Sequence, residues 1–289
     1  MNTSVESRIA DYYKLGFKRN KSLFSEFLPK GYAQVTLNQV PADYFKDLIN
    51  TKILLGLFIT LCDDFVDNPT YANPKLINEL AKIPLDDVSI DTQGLTEFES
   101  KVVSFAKELF QQIISFLQKL PHFDCLKMLL YFDIKQFFNG LHYSQLIRIF
   151  PQMTNTVECA CYLPHNMGII IVGMMDLMAI ADFDINEFGI IREFFWFAQR
   201  FSNICNTLTT FERELNEHDF GNEIMLLSAQ ENRQGDIGSY QEAKEKLIAE
   251  QLTIIDQIAL YQINSFSTLE YIKGLKYLQS LHQSMQGFI

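Results

Sequence analysis

Proline punctuates the first half of this chain and then stops. It falls at positions 29, 41, 69, 74, 84, 121, 151 and 164, and nowhere from 165 to 289. Proline removes a backbone donor and clashes with the preceding helical turn. The distribution therefore predicts loops in the first half and long uninterrupted helices in the second. Apolar residues recur at three- and four-residue intervals over about 42–67, 94–119, 122–149, 154–180, 185–218, 222–233, 239–262 and 267–285, and each stretch is a predicted helix. Short loops such as DNPTYANP and KIPLDDVSID lie between them, with no alternating strand pattern, internal repeat or flexible linker. The expectation is an all-α chain, one helical domain over residues 1–289. The helix near Ile185 is the best defined, because Asp184 and Glu187 have capping-box spacing. Its apolar pattern continues for roughly 50 Å at 1.5 Å per residue.

Charge narrows the partners. The net charge of −11 and pI of about 4.9 come with no run of Lys or Arg, so a nucleic-acid backbone has nothing to attract it and no nucleic acid is expected. An acidic protein can still take a polyphosphate when divalent cations lie between. The N-terminus, MNTSVESRIADYYKLGFKRNK, lacks the apolar core of a signal peptide. The longest apolar stretch, from Met167 to Ala181, is interrupted by Asp176, so no transmembrane segment is expected and a cytoplasmic location is read. Cys62, Cys125, Cys159, Cys161 and Cys205 lack metal-type spacing and are expected as buried thiols. The oligomeric state, a homodimer included, stays open.

Two clusters carry chemistry. The helix ILLGLFITLC runs into DDFVD, so Asp63, Asp64 and Asp67 crowd one face of its last turn. That is the end of the helix macrodipole that disfavours anions. Three carboxylates so placed repel unless a cation lies among them, and hard oxygen ligands at the mouth of an apolar wall suit Mg²⁺. The plainer alternative is a solvated helix end, which is how Asp86-Asp87 in its proline-containing loop is read. On the long helix, NTLTTFERE sets Asn206, Thr210 and Glu214 at i, i+4 and i+8, an axial row of amide oxygen, hydroxyl and carboxylate spaced about 6 Å apart. Neighbouring Phe201, Ile204, Leu208 and Phe211 argue for burial, where an unpaired carboxylate is costly. Arg213 offers a planar cation for phosphate oxygens or a partner for Glu217.

DDFVD at 63–67 resembles the aspartate-rich motif DDxxD of class I terpene synthases, and NTLTTFERE resembles their second motif, (N/D)xxx(S/T)xxxE. The resemblance implies a helical bundle around an apolar active-site cavity, with three Mg²⁺ ions holding the diphosphate of a linear isoprenoid substrate. Carried over, Asp63 is the principal ligand with Asp64 or Asp67 assisting, Asn206, Thr210 and Glu214 chelate a further ion, and Arg213 binds diphosphate. The implied reaction is ionisation of farnesyl or geranylgeranyl diphosphate followed by carbocation cyclisation. Similar bacterial enzymes also carry an arginine upstream of the second motif. This chain has CACYLPHNMG there and no Arg from 149 to 191, leaving His165 as the nearest candidate. An Arg-Tyr pair is missing from the tail KYLQSLHQSMQGFI, for which Arg192, Arg200, Lys273 or Lys276 are candidate substitutes.

A carbocation survives only where water is excluded, and helical phase offers Phe58, Phe65, Phe138, Phe195, Trp196 and Phe211 as wall or as plain core. Gly168 and Gly173 interrupt a strong helix pattern, each at about 1 kcal/mol relative to Ala. The resemblance implies a kinked helix here, and Gly168 is the expected break. The alternatives are a chain-elongating prenyltransferase, an enzyme of the squalene or phytoene type, and a non-catalytic helical binding protein. The later half of the chain holds no second DDxxD, which counts against elongation.

Overall fold

The computed structural model describes residues 4–67, 73–85, 88–217, 221–230 and 237–286, and the side chains of Asp67, Glu217, Gln230 and Ile237 are not among what it describes. The helices in chain order are α1 (Val5–Lys14), α2 (Leu28–Gln34), α3 (Ala42–Asp67), α4 (Pro74–Lys82), α5 (Glu97–Leu117) and α6 (Phe123–Ile149). Then follow α7 (Thr156–Tyr162), α8 (Ile169–Ala179), α9 (Phe188–Glu217), α10 (Glu223–Gln230), α11 (Ile237–Ile258) and α12 (Thr268–Ser284). A short π-helical turn, Leu23–Phe27, runs directly into α2. There is no strand among the described residues, and the fold is all-α.

Local chemistry starts several of these helices. Thr96 and Glu99 form a reciprocal capping box at the head of α5, and Ser267 caps α12. Asn73 caps α4, with Pro74 at its first position, where the missing N–H costs nothing. Helices α1, α2 and α4 lie outside the predicted set. They span ten, seven and nine residues, too short to hold together without the packing that α1 and α4 find on α3, and α2 on α3 and α12.

One predicted helix breaks where expected and one predicted cap is corrected. The stretch 154–180 is broken: α7 passes into a 3₁₀ turn, Leu163–Met167, and α8 begins after Gly168, whose φ of 64° is left-handed. The axis bends there by 46°. The expected capping box before α9 does not form. Asp184 accepts from the Asn186 amide over a 3₁₀ turn, while the Glu187 carboxylate accepts from the backbone and side chains of Asn264 and Ser265. A tertiary partner outcompetes the local one.

One buried cluster runs from α1 to α12, with α3, α8 and α9 at its centre. Every residue of α8 is buried, and it packs on α3, α6 and α9. No single helix among the described residues is long and apolar enough to cross a membrane. Cys62, Cys159 and Cys205 are buried as expected, whereas Cys125 and Cys161 are exposed. The Asp86-Asp87 pair lies outside the described residues.

Candidate active site

The C-terminal turn of α3 ends in charges because other elements supply their counterparts. Arg19, between α1 and the π-helical turn, donates from Nη2 to Asp63 Oδ2 at 3.0 Å and from Nε to Asp64 Oδ1 at 2.6 Å. The Tyr12 hydroxyl donates to Asp64 Oδ2. Arg148, in the last turn of α6, donates to the carbonyl of Val66, one of the groups a helix end leaves without an intrahelical partner. Burial pushes the Asp64 carboxyl up, against the opposing pull of Arg19 and Tyr12. The two neighbouring acids thus differ: Asp64 is 14 % exposed and bonded through both oxygens, while Asp63 is 32 % exposed and shares one oxygen with Arg19.

Asp63 lines a solvent-open cavity of about 240 Å³ between α3, the end of α6, the 3₁₀ turn at 163–167, α9 and the start of α10, with the N-terminal segment and α12 contributing to its lining. The opposite wall is α9. Asn206, Thr210, Arg213 and Glu214 all line this cavity, and so do Arg19 and Arg148. The two predicted clusters therefore face one space. Thr210 donates its hydroxyl hydrogen to the Asn206 carbonyl at 2.9 Å, which leaves its oxygen lone pairs as acceptors. Glu214 accepts from Asn222 Nδ2 at 2.7 Å and from Arg213 at 3.4 Å. Among the described residues, no three His, Cys, Asp or Glu side chains gather closely enough to hold a metal ion unaided. The oxygen donors that share its lining are a carboxylate from α3 and an amide, a hydroxyl and a carboxylate from α9. Hard oxygens of that kind fit Mg²⁺, and a guanidinium already occupies the place of positive charge beside Asp63.

Other predicted residues lie elsewhere. Asp64 does not line the cavity, because Tyr12 and Arg19 hold it against the N-terminal segment. The Asp67 side chain lies outside the described residues. His165 is buried, accepts at Nδ1 from Gln199 Nε2 at 3.3 Å and packs against Trp196, with burial pushing its imidazole down to about 4. It is a neutral structural residue that does not line the cavity. Arg192 pairs with Asp133, Arg200 with Glu223 and Glu250, and Lys273 with Glu270, so none of these supplies the cavity's basic charge.

The predicted aromatic wall residues lie away from this cavity. Phe58 packs against Phe110 and Phe138, Phe65 against Phe17 and Phe98, and Trp196 is 40 % exposed. Phe195 stacks on Phe266, and Phe211 meets Tyr240. None of these lines the cavity; its apolar side is made by Phe27, Leu28, Tyr32, Ile59, Leu163 and Met167. On helices that are buried nearly all round, phase alone does not distinguish a cavity-facing ring from one facing a neighbouring helix. Gly168 is the break expected of it. A Cβ there would lie 2.7 Å from Ile59 Cδ1, so the turn carrying Met167 sits close to the cavity face of α3.

The residues missed were Arg19, Arg148, Asn222 and His282, all cavity-lining. Arg148 stands one position before the Arg-free stretch, and helical continuity from α6 was its only signal. Arg19 sits in a segment with no periodic pattern, and nothing in the sequence marked it.

This arrangement of helices is the class I terpene synthase-like fold. The isoprene synthase from grey poplar leaves (Populus x canescens) is similar in structure with a TM-score of 0.64 at 12% identity, covering 96% of this chain and 52% of that one. The same enzyme in complex with three Mg²⁺ ions and dimethylallyl-S-thiolodiphosphate matches with a TM-score of 0.65 at 13% identity, over 98% of this chain and 53% of that one. A cucumene synthase variant matches with a TM-score of 0.62 at 11% identity, over 98% and 93% of the two chains. This chain thus spans about half the length of the poplar enzyme. No family model matches the chain, and no curated protein matches it in sequence.

Proposed function

We propose that this chain holds a class I terpene synthase catalytic domain, which ionises a linear isoprenyl diphosphate and lets the resulting carbocation cyclise. The observation that carries the reading is that Asp63 and the row Asn206, Thr210 and Glu214 line one cavity together with three arginines. Asp63 on one wall, with Asn206 Oδ1, Thr210 Oγ1 and the Glu214 carboxylate on the other, would hold Mg²⁺. Three ions are expected from the resemblance, the number bound in the poplar isoprene synthase complex. Bound Mg²⁺ supplies Lewis-acid neutralisation of the charge that grows on departing diphosphate.

The chain's own groups do the rest. Arg213 and Arg148 present N–H donors toward diphosphate oxygens, fixed donors of the kind that stabilise a developing anion. Asn222 orients Glu214 through its 2.7 Å hydrogen bond. Phe27, Leu28, Ile59 and Leu163 line the cavity with side chains that carry no nucleophile, the kind of surface a carbocation needs beside it. Farnesyl and geranylgeranyl diphosphate are the proposed substrates, and a cytoplasmic location the proposed setting.

The test is incubation of the purified protein with dimethylallyl, geranyl, farnesyl and geranylgeranyl diphosphates and Mg²⁺, with gas chromatography of headspace and hexane extract. A cyclic hydrocarbon or alcohol is expected from one of the longer substrates. Longer linear diphosphates would mark an elongating enzyme, and diphosphate binding without turnover a binding protein. Either result would overturn the proposal.

A further inference from the structure

The guanidinium of Arg19 lies where the acid pair needs positive charge and where a diphosphate would need donors. It bonds Asp63 and Asp64 at 3.0 and 2.6 Å and lines the same cavity as Asn206, Thr210, Arg213 and Glu214. Its own segment is firmly seated. Tyr12 is fully buried, stacked on Phe17 at 4.8 Å and edge-on to Phe24, and the Tyr13 hydroxyl donates to the Arg19 carbonyl at 3.2 Å. The tip reaches the solvent-accessible cavity, where Arg19 keeps 22 % of its side chain exposed.

One guanidinium carries a single charge against two carboxylates. A divalent cation neutralises the pair more fully, and at Asp63 it competes with the positive charge of Arg19, 3.0 Å away. The freed guanidinium would remain in the cavity, and its planar fork of donors matches phosphate oxygens. We infer that Arg19 is an exchangeable counter-ion: it occupies Asp63 in the metal-free protein, yields that carboxylate to a divalent cation, and then contacts the diphosphate. Cation binding, diphosphate capture and the seating of the N-terminal segment are thereby coupled through one side chain. Asp64, held by Tyr12 from the other side, is the pivot that stays in place. The inference rests on the reading of this cavity as a divalent-cation and diphosphate site.

Its test uses the two probes separately, with no isoprenoid and no turnover. Mn²⁺ binding is measured by electron paramagnetic resonance on the full chain and on Arg19→Gln, and inorganic diphosphate binding by calorimetry at saturating Mg²⁺. With the competitor removed, Mn²⁺ is expected to bind Arg19→Gln about tenfold more tightly, and with the donor removed, diphosphate about tenfold more weakly, each the size of one charge-assisted hydrogen bond. Arg19→Lys should fall between, and Tyr12→Phe should keep the wild-type diphosphate affinity. Both affinities unchanged, or both falling together, would overturn the exchange while leaving the site reading intact. A wild-type protein that binds neither probe would overturn both. Should Arg19→Gln lose its helical circular dichroism, hydrogen exchange on the wild type decides. Amides of residues 19–22, at the arginine itself and beyond the seated ring cluster, are expected to change protection on adding Mg²⁺, and unaltered protection there would sink the inference.

Discussion

Lys52 of α3 and Asp176 of α8 form an ion pair with Nζ and Oδ1 at 2.5 Å, and both side chains are wholly shielded from solvent. Lys52 also donates to Thr36 Oγ1 at 2.8 Å, and Asp176 accepts from the Leu37 amide at 3.1 Å. The charge that interrupts the most apolar helix is thus a tie between two central helices and the chain leaving α2. Breaking such a pair leaves a buried charge without its partner, at about 3–5 kcal/mol. Lys52→Ala and Asp176→Ala should each lower the unfolding midpoint in denaturant by that equivalent. The paired replacement Lys52→Met with Asp176→Leu should recover most of the loss, and a double variant as unstable as the worse single one would refute this account.

Asp63 and Glu214 carry the proposed metal site from opposite walls. Asp63→Ala and Glu214→Ala are expected to reduce turnover by about 100-fold or more, the scale of losing a group that stabilises developing charge, with helical circular dichroism unchanged. Asn222→Ala, which removes only the group that orients Glu214, should cost about tenfold. Full activity in any of these variants removes that residue from the site.

The placement of the aromatic rings suggests a division between core and cavity. Phe58→Leu and Phe138→Leu should lower stability by about 1–2 kcal/mol, read by thermal unfolding, and leave the product ratio unchanged. Ile59→Ala and Met167→Ala change the contour of the cavity and should alter the ratio of products on gas chromatography. The reverse pattern would return the phenylalanines to the active-site wall.

Gly168 has a left-handed φ and meets Ile59, whereas Gly173 is helical and would drive a Cβ to within 2.6 Å of the Phe195 ring. Gly168→Ala should cost about 1 kcal/mol through its backbone, and should also impair turnover because Ile59 and Met167 shift. Gly173→Ala should lower the melting temperature by more than Gly168→Ala does, since a buried ring must move. Equal melting temperatures for wild type and Gly173→Ala would show that the contact can relax.

His165 and His282 are both buried, and burial pushes each imidazole from an ordinary 6.5 down to about 4. The unfolded chain takes up these protons as pH falls through about 6.5, while the folded protein resists until about 4. Stability is therefore complete above pH 6.5 and declines between 6.5 and 4, by roughly 2 kcal/mol per histidine at pH 5. Urea unfolding at pH 7 and pH 5 measures the slope, and His282→Gln should flatten it; an unchanged slope would remove His282 as a contributor.

Helix α3 was legible from its apolar spacing and the acids that close it, and the row on α9 was legible because i, i+4, i+8 is a property of one helix alone. These features repeat along the chain every few residues, so a single helix displays them before it touches anything. The choice between Asp63 and its neighbour Asp64 was not of that kind. It depends on Tyr12 and Arg19, 52 and 45 residues upstream of Asp64, which hold one acid and leave the other to the cavity. The basic lining from Arg19 and Arg148, the retirement of His165 into the core, and the rings that pack away from the cavity all follow from which helix faces which. Those contacts join residues far apart in the chain, and periodicity, being local, carries no record of the partner across the gap.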